Sequence, residues 1–109
     1  MLKIELIAEL RRLGFPLVHI PDVLDRFKPG HEIAESQIPE LIPDAAQIAG
    51  KWYLEPTLEL MFTALGDNFK LLERTDIWGA IGKGNGKQKL AFGADPKEAL
   101  ANLYLEIKK

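Results

Sequence analysis

The residues of this 109-residue chain that most resemble a chemical site are Gly82-Lys83-Gly84-Asn85-Gly86-Lys87, where glycine and lysine alternate as in loops that cradle phosphate. A phosphate loop needs a glycine five positions before its Gly-Lys pair and a helix behind it to aim backbone N–H groups at the anion. Here that position is Ile77 for one pair and Ile81 for the other, and the residues after the pairs read as a strand. The stretch is therefore a hairpin tip. Its lysines, Lys83, Lys87 and Lys89, are the candidate nucleic-acid contacts, because a basic hairpin can track phosphates or enter a groove. The same lysines also suit an edge that discourages strand-to-strand aggregation.

The remaining reactive side chains form weaker patterns. His31 and Glu35 stand one helical turn apart with Glu32 beside them, which is at most a partial metal site without a second histidine at matching spacing. His19, in the apolar run Leu17-Val18-His19-Ile20, suits a packed histidine bonded to backbone. Ser36, the sole serine, has no elbow glycines around it. The pairs Asp22 and Asp25, and Glu32 and Glu35, have spacings common on any polar helix face. With no cysteine there is no thiolate site. The sequence thus offers no catalytic, cofactor or metal motif, and no enzyme activity is expected.

Among the elements that carry these side chains, the clearest signal is Asn85-Gly86 between two alternating runs. Both central residues of a type I′ turn need positive φ, which asparagine and glycine tolerate. Counting outward from that turn pairs Lys83 with Gln88, Ile81 with Leu90, and Gly79 with Phe92 on one face. The other face pairs Gly82 with Lys89, Ala80 with Ala91, and Trp78 with Gly93. Residues 69–74 suit a third strand, with Thr75-Asp76 turning into the hairpin. Asp95 then caps a helix with Pro96 at its first position and Glu98 three residues after the cap. Leu100, Leu103, Tyr104 and Ile107 form its apolar stripe, expected to lie on the Ile81, Leu90 and Phe92 face.

Before this unit, Leu2, Leu6, Leu10 and Leu13, broadened by Ile4 and Ile7, predict a first helix that stops at Gly14. Residues 15–20 read as extended, and Pro21-Asp22 opens a short helix that ends before Pro29-Gly30. Pro39 and Pro43 interrupt the stretch up to Gly50, leaving short helical turns at Glu40-Leu41 and over 44–48. The apolar residues Ile38, Leu41, Ile42 and Ile48 suit a segment that packs rather than a free linker. After Lys51-Trp52-Tyr53-Leu54, Pro56-Thr57 leads into a compact helix bearing Leu58, Leu60, Met61, Phe62 and Leu65. It is apolar on more than one side and expected to be well buried, with Gly66 as its stop.

These elements predict one α+β domain over 1–109. N-terminal helices precede a three-stranded antiparallel β-meander, at about 69–74, 78–84 and 87–92, packed by a C-terminal helix at about 96–107. Residues 1–50 form a helical, irregular part and 51–109 the helix, meander and second helix. A formal charge of −2, with 47% hydrophobic and 28% charged residues, is ordinary for a globular chain and gives no overall attraction to nucleic acid or anionic membrane. The first residues interleave charged and apolar types, unlike a signal peptide, and no run is long enough to span a membrane. A soluble protein of the cytoplasm is expected.

The second half, residues 52–107, resembles a loose family of small uncharacterised proteins encoded by phages and prophages. The resemblance rests on Trp52, Pro56-Thr57-Leu58-Glu59-Leu60, Leu65-Gly66, Trp78-Gly79-Ala80 and Glu98-Ala99-Leu100-Ala101-Asn102-Leu103. It implies location in a bacterial host's cytoplasm and carries no agreed function. The chain is also similar to HicB-type antitoxin domains, which run through a β-meander into a helix with an acidic-Ala-Leu start. It departs from them in placing a long helical section before the sheet and in lacking a DNA-binding tail. The function expected is association with a protein partner or with itself. Trp52, Tyr53 and Trp78 are the candidate contacts, and nucleic-acid binding through the lysine hairpin is the alternative.

Overall fold

The last helix is the centre of the fold. The computed structural model describes residues 2–20 and 38–109. In chain order these form α1 (Ile4–Arg12), α2 (Ile38–Leu41), β1 (Ala45–Ile48), β2 (Lys51–Leu54) and α3 (Leu58–Leu65). A 3-10 turn (Gly66–Asn68) leads to β3 (Phe69–Arg74), β4 (Trp78–Gly84), β5 (Lys87–Gly93) and α4 (Pro96–Lys108). The expected short helix after Pro21, the His31, Glu32 and Glu35 group, the Asp22 and Asp25 pair, and Ser36 lie outside the described residues.

The start of α4 is set by three neighbouring residues. The Asp95 carboxylate accepts a hydrogen bond from the Glu98 backbone N–H at 2.8 Å, satisfying one donor that the first turn leaves without a helical partner. Pro96 supplies the first turn, where a missing N–H costs nothing. At the other end, Lys108 lies 5.6 Å from the Tyr104 ring centre and Lys109 pairs with Glu106 at 3.1 Å. Both place positive charge at the negative end of the helix dipole.

Strands β3, β4 and β5 form the antiparallel meander in that order. Asn85 and Gly86 have φ of 53° and 75°, so the two-residue turn fixes the pairing of β4 with β5. Every expected pair is present, including Ile81 with Leu90, Gly79 with Phe92 and Trp78 with Gly93. Strand β3 joins β4 through Leu71 with Ile81 and Glu73 with Gly79, with an irregularity between Phe69 and Leu71.

The helix, however, covers the opposite face from the one expected. Ala80, Gly82, Gly84, Ala91 and Gly93 are buried beneath α4, while Leu90 and Phe92 point away from it and are exposed. A methyl group placed on Gly82 would stand 3.2 Å from Leu103 Cδ2 and 3.3 Å from Ile107 Cδ1. One on Gly93 would press on the α4 backbone, 2.7 Å from the carbonyl carbon of Glu98. The physical reason is distance. A glycine-alanine face lets the helix sit close to the strands, so that Leu103 and Ile107 fill the space that sheet side chains would otherwise take. The Ile81, Leu90 and Phe92 face would hold it off.

The far side of α4 carries the N-terminal layer. Ile7 and Leu10 of α1 and Met61 and Leu65 of α3 join Leu100, Leu103 and Tyr104 in one buried cluster. Phe15 meets Tyr104 edge-on, with ring centres 5.0 Å apart. Burial pushes the Tyr104 phenol above its ordinary pKa. Because α4 is covered on two sides, Ala99, Leu100, Ala101 and Leu103 are fully buried. Each fully buried leucine contributes about 1.5–3 kcal/mol of hydrophobic stabilisation. The stripe of α1 runs through Leu6, Ile7, Leu10 and Leu13, leaving Ile4 half exposed.

Two expectations for the middle of the chain need correction. Residues 45–48 are not a helical turn: they form β1, paired antiparallel with β2 from Ala45 with Leu54 to Ile48 with Lys51. Ala49 and Gly50 make the connection at φ of 51° and 79°. Alanine seldom adopts positive φ, so the turn lacks the usual residue signal. This hairpin also crosses residue 50, which is therefore no structural boundary between a helical part and a second part. The run is non-helical over 15–19, with the Leu54 N–H donating to the Val18 carbonyl at 2.9 Å and a bridge between His19 and Tyr53, but Ile20, expected to be extended, is helical.

Helix α3 is only partly buried. The Thr57 hydroxyl caps it by accepting from the Leu60 N–H at 3.1 Å, and Met61 and Leu65 face the core. Leu58 and Phe62 remain exposed, because the helix lies at the rim with one apolar side outward. Just before it, the Glu55 side chain is 8% exposed; it accepts from the Leu2 N–H at 2.6 Å and pairs with Lys97 at 3.4 Å. One carboxylate thus links the first described residues to the start of α4.

Candidate interaction surface

Strand alternation sends every second residue of the meander away from α4. On β3 these are Leu71 and Glu73, on β4 Gly79, Ile81 and Lys83, and on β5 Gln88, Leu90 and Phe92. Leu71 is 45% exposed, Leu90 51% and Phe92 52%, and Ile77 in the β3–β4 connection is 44% exposed. The register makes these neighbours: Leu71, Ile81 and Leu90 form one row across the sheet, and Glu73, Gly79 and Phe92 the next. The Phe92 ring lies over Gly79, whose missing side chain leaves room for it, at 3.5 Å from where a Cβ would stand. A shallow hollow of about 170 Å³ runs between Glu73, Thr75, Ile77, Gly79, Ile81, Leu90 and Phe92.

The charges on this outer face are separated by end. Lys83 and Gln88 stand at the hairpin-tip end, and Lys70 borders the same depression as Ile81, Lys83 and Gln88. Glu73 stands at the other end beside Thr75 and Ile77. The face therefore reads basic, apolar, acidic along its strands.

The residues singled out from sequence fall elsewhere. Tyr53 is buried, with its hydroxyl accepting from Arg11 Nε at 3.1 Å and its ring 5.5 Å from that of His19. Trp78 is half-buried on the α4 side of the sheet and packs on the core, and Trp52 is half-buried on β2. None of the three lies on the outer face. The lysines Lys83, Lys87 and Lys89 are divided by the pleat: Lys83 shares the outer face, whereas Lys87 and Lys89 pair with Gly84 and Gly82 on the helix side. They do not form one basic surface.

Among the described residues no group of three histidine, aspartate or glutamate side chains is placed to hold a metal ion. Among them, too, no helix is long and apolar enough to cross a membrane. Other hollows are open grooves, such as one of about 340 Å³ beside α3 lined by Val18, Leu54, Glu55, Thr57, Glu59, Leu60 and Thr63. Sequence reading missed the outer face because it assigned those side chains to the core. The signal was present in the glycine and alanine content of the opposite face.

No protein-family model, no curated protein and no solved structure matches this chain significantly.

Proposed function

We propose that this chain is a non-enzymatic binding domain that works by protein association through the outer face of its meander. The observation that carries the reading is the group Leu71, Leu90 and Phe92 on one face of one sheet, with Ile77 beside them in the β3–β4 connection, each between 44% and 52% exposed. Contiguous exposed apolar surface rimmed by polar residues marks association sites. Lys83, Gln88 and Glu73 supply that rim. The resemblance of residues 52–107 to phage-encoded proteins gives the domain a bacterial host cytoplasm in which to meet its partner. Nucleic-acid contact is the weaker reading, because the register splits Lys83 from Lys87 and Lys89.

The test is site-specific photocrosslinking in the cells that make the protein. With p-benzoylphenylalanine in place of Leu90 or Phe92, both positions are expected to yield the same discrete protein adduct, and a control at Glu9 on α1 none. Absence of an adduct from both outer-face positions would overturn the reading.

A further inference from the structure

We infer that the occupant of the outer face is a second copy of this chain, packed sheet to sheet about a two-fold axis that crosses the strands. The inference rests on reading the outer face as the association surface, and it specifies partner and geometry.

The argument begins with symmetry. A two-fold interface brings one patch against itself, so the patch must complement its own rotated image. For two sheets packed face to face, the axis lies between them and runs either along the strands or across them. An axis along the strands stacks like ends: Glu73 would face the partner copy's acidic end, and Lys83 the basic one. An axis across the strands stacks unlike ends. The basic end, with Lys70 and Lys83, then covers the acidic end, with Glu73, twice in each dimer. Repulsion between like charges suppresses the first arrangement, and attraction between opposite charges fixes the second.

The register places the axis as well. Ile81 lies midway between Gly79, which pairs with Glu73, and Lys83 on β4. An axis over the row of Leu71, Ile81 and Leu90 therefore sets each of these against its own counterpart. It also brings the Phe92 end of β5 over the Gln88 end of the other copy. The centre of the interface is apolar and the charged pairs lie at its rim, the usual distribution in protein interfaces. The two sheets would keep their strands within about 30° of each other.

The size of the face sets the strength. Three strands about 4.8 Å apart and six residues long at about 3.3 Å each span roughly 300 Å² in projection. Stable interfaces bury about 800 Å² per partner, so the expected dimer is weak and depends on concentration.

Sedimentation equilibrium over about 5–500 μM protein tests this directly, since mass action reveals weak association. The full chain is expected to dimerise, and Leu90→Ser to abolish the dimer while leaving the circular-dichroism spectrum unchanged. Two charge-reversed chains then test the geometry: Glu73→Lys alone, and Lys70→Glu with Lys83→Glu. Each by itself is expected to dimerise at least ~10-fold more weakly, because like charges now meet at both rims. An equimolar mixture of the two is expected to recover dimer, because the mixed pair restores opposite charges at both rims.

A full chain that stays monomeric throughout would overturn the second-copy assignment. So would outer-face adducts, in the crosslinking experiment, whose mass shows only a different protein; those adducts would leave the association reading standing. A dimer insensitive to Leu90→Ser would overturn the face; charge-reversed chains that each dimerise as well as the unaltered chain, or a mixture that fails to recover dimer, would overturn the crossed-axis geometry.

Discussion

The two faces of the meander are built from the same three strands and the same turns, yet they contrast in composition and in fate. The face under α4 centres on the buried Ala80, Gly82, Gly84, Ala91 and Gly93, with the larger, partly buried Phe69, Leu72 and Trp78 packed on the core from its other positions. The face turned outward holds Leu71, Ile81, Leu90 and Phe92, and it is largely exposed. Side-chain size, more than apolar character, decides which face a helix can approach, because dispersion contacts reward closeness and glycine permits it. Large side chains are then left on the outward face.

The contrast breaks most severely at Gly93. Gly93→Val places a branched side chain against the backbone of Glu98 and Ala99, so α4 must lift from the sheet. Loss of cooperative thermal unfolding is expected in calorimetry, whereas Gly79→Val, on the outer face, is expected to keep it. A direct comparison of the faces comes next. Leu103→Ala on the buried side is expected to cost about 2–5 kcal/mol in urea denaturation. Leu90→Ala on the outer side is expected to cost under ~1 kcal/mol in dilute solution. Equal losses would erase the distinction between the faces. The most local effect is expected at Asp95→Ala, which removes the cap of α4 and should cost about 1 kcal/mol without altering the sheet register. Hydrogen exchange of the Glu98 amide checks it: protection should fall there and persist across β4 and β5.

Much of the fold is legible in residue order because local chemistry specifies it. Asn85-Gly86 selects a two-residue turn, and a two-residue turn leaves a single register. Asp95, Pro96 and Glu98 likewise mark the start of α4 within the first turn itself. The hidden features depend on which surfaces meet. The rule that apolar residues lie inside runs one way only, and applying it to Ile81, Leu90 and Phe92 put the helix on the wrong side. Similarly, Ala49 at positive φ concealed the β1–β2 hairpin, because its backbone conformation comes from strand pairing rather than from its own preference. The candidate surface was illegible for the same reason. Trp52, Tyr53 and Trp78 stand out by type, but Tyr53 and Trp78 are spent on the core, and ordinary leucine and phenylalanine form the exposed face.

The central position of α4 also bears on how the protein is made. On the ribosome Ile7, Leu10, Phe15 and Met61 emerge before α4, the surface against which they pack. At about 5–20 residues per second, those side chains wait some seconds for their core to arrive. The β4–β5 hairpin, closed by its own turn, needs no such partner to begin pairing. Helix α4 is thus a template made after the residues that close onto it, so Ile7, Leu10, Phe15 and Met61 are exposed for longer during synthesis than the hairpin that precedes α4.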